Sequence, residues 1–307
     1  MASVETITGV KLDHVAHAVP RWQDVWHRYA TDLGAEWNSG GPGPGFAPAQ
    51  LRFGNDGRVE VLKPWRPDVN DFLERFLAAS GPGAHHVTFK VPSLTQAIEQ
   101  ARSHGYEPIG INMADPEWME CFIHPKQAGG IVVQLAEQPV PWTNEPPAHF
   151  PRRRRPASGG TAPAPPAGLR WVVHVVDDLE VATRLFGGLL GGEITDEGER
   201  QGVRWRDFRW PSVLGIRLLA SASDEPAGSV SDWLDGRPGR VHHLAFTLSD
   251  PGDVPGARKV SSNADPILAA GVGNDPAGDG PWIIPTNENH GLMLVLTRDT
   301  PDDRPNR

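Results

Sequence analysis

The chain has one cysteine, Cys121, no long apolar run and too few basic residues to balance its acids. Each shortage removes a class of protein. A single thiol excludes an internal disulfide framework and a zinc site built from several cysteines, and within the apolar run CFI it reads as a buried side chain. No stretch approaches the roughly 20 apolar residues of a membrane helix, and the opening MASVETITGV lacks the basic start and apolar centre of a signal peptide. The expectation is a cytoplasmic protein with no membrane partner. A formal net charge of -9 speaks against a nucleic-acid partner, because phosphate binding needs clustered Lys and Arg. The one basic run, Arg152 to Arg155, lies among prolines and reads as solvated linker. What is there, 307 residues of which 38% are hydrophobic, suffices for one large or two medium domains.

The arrangement of those residues is repetitive. AHHVTFKV at 84–91 resembles VHHLAFTL at 241–248, which sets His86 on His243 at an offset of 157 (243 minus 86). The same offset of 157 sets His17 on His174, RYATDLG at 28–34 on LFGGLLG at 185–191, and VEVL at 59–62 on IRLL at 216–219. One offset recurring at separated places indicates that the halves are duplicates. Between them QPVPWTNEPPAHFPRRRRPASGGTAPAPPA has no hydrophobic periodicity, so residues 10–137 and 168–298 read as domains and 138–167 as a Pro- and Arg-rich linker.

A shorter repeat lies inside the first half. An offset of 72 brings DHVAHAV at 13–19 onto HHVTFKV at 85–91 and His14 onto His86. Each copy continues with a helical segment; in the second, Leu94, Ala97, Ile98 and Ala101 recur at helical spacing. Short extended runs follow, ending in RVEVLKP and GIVVQLAEQ, where Glu60 and Gln134 are equivalent. Each unit reads as one strand, one helix and about three strands.

Alternation assigns faces within these strands. His86 goes with Thr88 and Lys90, a polar face, whereas His85 goes with Val87, Phe89 and Val91, a face suited to packing under a helix. His14 goes with Ala16 and Ala18, opposite His17 and its valines, and Glu60 and Gln134 also point away from apolar faces. If two units pair about a pseudo-twofold axis, these four side chains converge on the floor of a cup. Two imidazoles, a carboxylate and an amide oxygen suit one divalent metal ion among Zn, Mn, Co, Ni and Fe, with open positions for substrate. His17 reads as structural, since its mate His174 persists in the half that lacks the rest of the set.

These residues and their order resemble the vicinal oxygen chelate superfamily, the glyoxalase and bleomycin-resistance fold. Within it, residues 10–137 are similar to methylmalonyl-CoA epimerase through LDHVAHAV, VEVLKP, FLERFLAASGPGAHHVTFKV and FIHPKQAGGIVVQLAE. The resemblance implies an α+β fold of tandem vicinal oxygen chelate domains, each made of two βαβββ modules forming a cup-shaped sheet. It implies a metal held by His14, Glu60, His86 and residue 134 that polarises a substrate carbonyl or a pair of vicinal oxygens. Two departures stand out. The family places a carboxylate in the last strand where this chain has Gln134, and a glutamate ahead of the second strand where this chain reads GGPGPGFAPAQ. Glu60 is then the first candidate for a catalytic base and Lys90 the second.

The second half carries Trp171, Arg217, His243 and Val295 at the corresponding positions, a set that repels or ignores a cation, so its cup is expected to hold no metal. The expected activity is that of a metal-dependent isomerase, epimerase or lyase. It would act on a small carbonyl or carboxylate substrate, an acyl-CoA among the candidates, through a metal-stabilised enediolate. The alternative is a non-catalytic protein that binds a metabolite or sequesters an antibiotic in an aromatic groove, for which 11 Trp are available. A homodimer is the assembly to look for.

Overall fold

The computed structural model describes residues 5–152, 165–223, 228–261, 265–272 and 280–299. Arg153 to Arg155 of the basic run lie outside the described residues.

The first half runs β1 (Lys11–Ala18), a helical segment (Gln23–Trp26, then His27–Asp32), β2 (Glu36–Gly40), β3 (Gly45–Arg52) and β4 (Arg58–Trp65). After the helix Phe72–Ser80 come β5 (Gly83–Lys90), the helix Leu94–Ser103, β6 (Ile109–Asn112), β7 (Met119–Ile123) and β8 (Val132–Glu137). The helix Leu94–Ser103 shows how the sequence writes these elements. The Ser93 hydroxyl caps its start by accepting from the Gln96 N–H, and Leu94, Ala97, Ile98 and Ala101 form its buried stripe. Gly105, at φ +83°, turns the chain away at its end.

These strands form one sheet in the order β2-β3-β4-β1-β5-β8-β7-β6. The two strand–helix–three-strand units are therefore joined through antiparallel β1 and β5, the pairing that the 72-residue offset calls for. One face of the sheet is curved into a cup; the other carries Val15, Val59, Val61, Val87, Phe89, Val133 and Leu135 into the main core.

The second half repeats the plan with β9 (Gly168–Val176), β10 (Glu193–Arg200), β11 (Val203–Arg209), β12 (Gly215–Ser221), β13 (Gly239–Leu248), β14 (Arg258–Lys259), β15 (Trp282–Ile284) and β16 (Met293–Arg298). Their order, β10-β11-β12-β9-β13-β16-β15-β14, is the first sheet's order again.

The helix-bearing faces of the two sheets share one core. Phe89 of β5 packs edge-on against Trp210 at 4.9 Å, and Phe53 against Phe246 at 4.9 Å. The polar contacts across this core are reciprocal. His17 Nε2 donates to the carbonyl of His290 at 2.9 Å, and its repeat mate His174 donates through Nε2 to the carbonyl of Gly129 at 2.7 Å. Beside them Gly130 lies so close to Gly239, and Gly291 so close to Pro82, that a Cβ at either position would overlap the facing carbonyl. His17 and His174 thus fasten the halves together.

Part of the segment expected as linker is fastened too. Asn144 Oδ1 accepts from Trp37 Nε1 at 3.0 Å and from the Gly40 N–H at 3.1 Å, and Phe150 packs on Trp26 and Trp37.

Candidate metal centre

The floor of the first cup is set by register. Across the sheet His14 of β1 faces Thr88 of β5, Thr88 faces Gln134 of β8, and Glu60 of β4 pairs with Ala16. This brings together the residues singled out by the internal repeat. Glu60 Oε2 lies 3.6 Å from His14 Nε2 and 3.7 Å from His86 Nε2. Among the described residues, His14, Glu60 and His86 form a group whose candidate ligand atoms all lie within 4.8 Å of one another. Gln134 joins through a hydroxyl: Thr88 Oγ1 donates to Gln134 Oε1 at 2.5 Å and stands 2.9 Å from His14 Nε2.

The donor set fits a divalent ion. Ligands about 2.1 Å from one tetrahedral ion stand about 3.4 Å apart, close to the two spacings seen here. His86 Nε2 is buried, has no hydrogen-bond partner and points at the Glu60 carboxylate. His14 Nδ1 lies 2.8 Å from Asp13 Oδ2, an arrangement that orients an imidazole to ligate through Nε2.

Electrostatics follow from burial and these neighbours. Burial pushes His14 down, but the Glu60 and Asp13 carboxylates outweigh it and hold the imidazole at about 9. Burial pushes Asp13 up, but His14, with Lys90 and Arg58 behind it, draws the carboxyl down to about 2. His86 lies well below its ordinary value, through burial first and then the neighbouring His85 and His14, so its ring is neutral and free to ligate. Lys90 is brought down to about 8 by burial, against the pull of Asp13 and Glu60.

The structure corrects the face assigned to His85. Strict alternation sends it under the helices with Val87 and Phe89, but β5 bulges against β1. Val87 faces Val15 and Ala84 faces His17, so His85 and His86 share the place opposite Ala16. The His85 ring lies 4.7 Å from that of Phe76, on the helix that covers the cup, and its Nδ1 is 2.9 Å from His86 Nδ1. The bulge recurs at His242, whose ring lies 4.6 Å from that of Trp233.

Several groups in the cup escape a reading of the sequence. Asp13 is turned toward His14 by a bulge between Leu12 and His14. Gln50 Nε2 approaches His14 Nδ1 at 3.3 Å and is itself held by Asn38. Glu120 of β7 accepts from Gln134 Nε2 at 2.6 Å and from Trp118 Nε1 at 2.7 Å, which puts a second carboxylate beside the last strand. Only Thr88 carried a usable signal, its place two residues from His86 on one strand face. The rest of the cup is apolar: Ala16, Ala18 and Leu62 meet Leu73, Phe72 and Phe76 of the covering helix.

The second cup is filled differently. Arg217, at the position of Glu60, makes a two-pronged ion pair with Asp207 at 2.6 Å and donates to the carbonyls of Ala270 and Gly271. The helix Pro266–Val272 lies so close to His243 that a Cβ on Gly271 would be 2.6 Å from its ring. Val173, Val175, Leu219, Val230 and Ile267, with Trp171 and Trp233, complete an apolar plug.

Known proteins share this fold. Residues 12–189, more than half of the chain, match the Glyoxalase-like domain family. Over 133 residues, 41% of this chain and 72% of the relative, the sequence is 28% identical to mitochondrial methylmalonyl-CoA epimerase of Mus musculus. A mutant of 4-hydroxymandelate synthase from Streptomyces coelicolor superposes with a TM-score of 0.62 at 15% identity, over 94% of this chain and 92% of that one. That likeness reproduces the tandem fold across both halves. Methylmalonyl-CoA epimerase from Mycobacterium tuberculosis covers 46% of this chain and 94% of its own at 25% identity, with a TM-score of 0.39. With two four-strand modules per half, a shared sheet order and a matching family profile, the chain belongs to the Glyoxalase-like domain family, and with it to the vicinal oxygen chelate superfamily.

Proposed function

We propose that the protein is a metal-dependent isomerase, epimerase or lyase that acts on a small carbonyl or carboxylate substrate in the first cup. The observation that carries this reading is the convergence of Glu60 on two imidazoles, one of which has a buried and unpartnered Nε2. His14, Glu60 and His86 would hold the ion, with the amide oxygen of Gln134 as fourth ligand. When bound, the ion would supply Lewis acidity to a substrate carbonyl and so make the adjoining C–H more acidic.

The residues around it supply the rest. Asp13 fixes the ring of His14, and Thr88 holds the amide oxygen of Gln134. Phe72, Leu73 and Phe76 close the apolar side and keep water from a carbanion-like centre. Glu60 takes the proton from the carbon beside the carbonyl, and epimerisation requires a proton delivered to the opposite face of that carbon. Lys90, at about 8, is the second group able to carry a proton. The epimerase relatives make methylmalonyl-CoA and related acyl thioesters the first substrates to test.

The test is elemental analysis of wild type and His86→Ala beside an assay for epimerisation or lysis. About one divalent ion per wild-type chain, lost with turnover in the variant, supports the proposal. No ion after incubation with Zn, Mn, Co, Ni and Fe overturns it and favours a binding protein.

A further inference from the structure

Two cations stand on the cup floor beside the metal cluster with donors left over. Arg58 lies two residues before Glu60 on β4, and Lys90 lies two residues after Thr88 on β5, so each shares its neighbour's face. Arg58 Nη1 is bound to Asp13 Oδ1 at 3.1 Å, but its Nε is buried with no hydrogen-bond partner. Lys90 Nζ is also buried and unpartnered, under the ring of Trp118 at 3.5 Å from its centroid.

An ammonium carries three donors, and leaving them all unmet in a buried place is costly. A structural ion pair would meet them with a carboxylate. Asp13, Glu60 and Glu120 all act on Lys90 through their charge, yet none is hydrogen-bonded to it. Trp118, whose indole N–H is held by Glu120, fixes the ammonium from one side and leaves its donors to the cup.

We infer that Lys90, with Arg58 beside it, forms a subsite for a carboxylate of the substrate, one strand row from the metal cluster. The inference rests on the metal-site reading above and narrows its substrate to acids with a second anionic end. Two residues along a strand span about 6.6 Å, so two or three carbons separate that carboxylate from the group at the metal. The charge balance favours a singly charged carboxylate over a phosphate dianion. Two cations face three nearby carboxylates, those of Asp13, Glu60 and Glu120. In this role Lys90 acts in its protonated form.

Calorimetric titration tests this with succinate and butyrate, a diacid and a monoacid of equal length, on metal-loaded wild type, Lys90→Met and Arg58→Gln. Succinate should bind wild type at least tenfold tighter than butyrate. Lys90→Met should cut that preference below threefold and Arg58→Gln should reduce it in part, while the affinity of Lys90→Met for the metal alone stays within threefold. Equal binding of the two acids to wild type, or a preference that survives in Lys90→Met, overturns the inference. If wild type takes up no metal, the metal-site reading fails by itself, and the same pair of acids titrated into the metal-free chain still decides whether Lys90 selects a diacid. Should Lys90→Met fail to fold, loss of the preference in Arg58→Gln supports the subsite, and a preference unchanged there overturns it.

Discussion

His85 and His86 face each other through their Nδ1 atoms at 2.9 Å, so a single proton serves both rings. If His86 ligates through Nε2, that proton sits on His86 Nδ1 and His85 is its acceptor. His85→Phe fills the space without accepting and should weaken metal binding about 10- to 100-fold, whereas His85→Gln should stay within a few-fold of wild type. Competition with a chromophoric chelator measures both. Wild-type affinity in His85→Phe would show that His85 does not set the tautomer.

Metal uptake should release protons. His14, held at about 9 by Glu60 and Asp13 against the effect of burial, is protonated at neutral pH and must lose that proton to ligate. Apparent affinity should therefore climb up to about tenfold per pH unit from pH 6.5 and flatten above about 9. Chelator competition at several pH values reads the slope, and an affinity independent of pH in that range would contradict the assignment.

Acid should weaken the fold through the reciprocal pair at the interface. Burial lowers His17 and His174 to about 4, from an ordinary value of 6.5. The unfolded chain binds these protons first as pH falls, so the contribution of this pair to stability is constant above about 6.5 and declines between about 6.5 and 4. His85 and His242, also lowered by burial to about 4, add to the same slope. Urea unfolding across this range should show the decline, and replacing both His17 and His174 by Gln should make it shallower, although the variant is less stable at pH 7.

Two glycines should be intolerant for a steric reason. Gly130→Ala and Gly291→Ala drive a methyl group into the facing backbone and should each cost about 4 kcal/mol or more. Gly105→Ala, also at positive φ but with open space around it, should cost only about 1 kcal/mol. Thermal unfolding of the three variants tests the contrast. Similar losses in all three would mean that backbone strain, not the close approach, governs these positions.

The repeats make the architecture legible in the sequence, because an offset shared by several strands carries register as well as identity. His14, Glu60, His86 and Gln134 were legible for the same reason. What escaped depends on breaks in the regular ladder. Alternation cannot foresee a bulge, so it sends His85 to the wrong face and gives no sign of Asp13. Glu120 enters the cup through the pairing of β7 with β8, a register that nothing in MECFI reveals. The plug in the second cup was hidden because PILAAGV, too short to show helical periodicity, acts through the closeness that Gly271 allows.

The strand that carries His86, Thr88 and Lys90 toward the cup turns Phe89 the other way, onto Trp210 and Phe186 of the second half. The aromatic footing of the first cup therefore comes from the other half of the chain. A change at Trp210 would tilt the strand under Thr88 and Lys90 without touching any group in the cup. The second half thus serves as the bench against which the first cup is aligned.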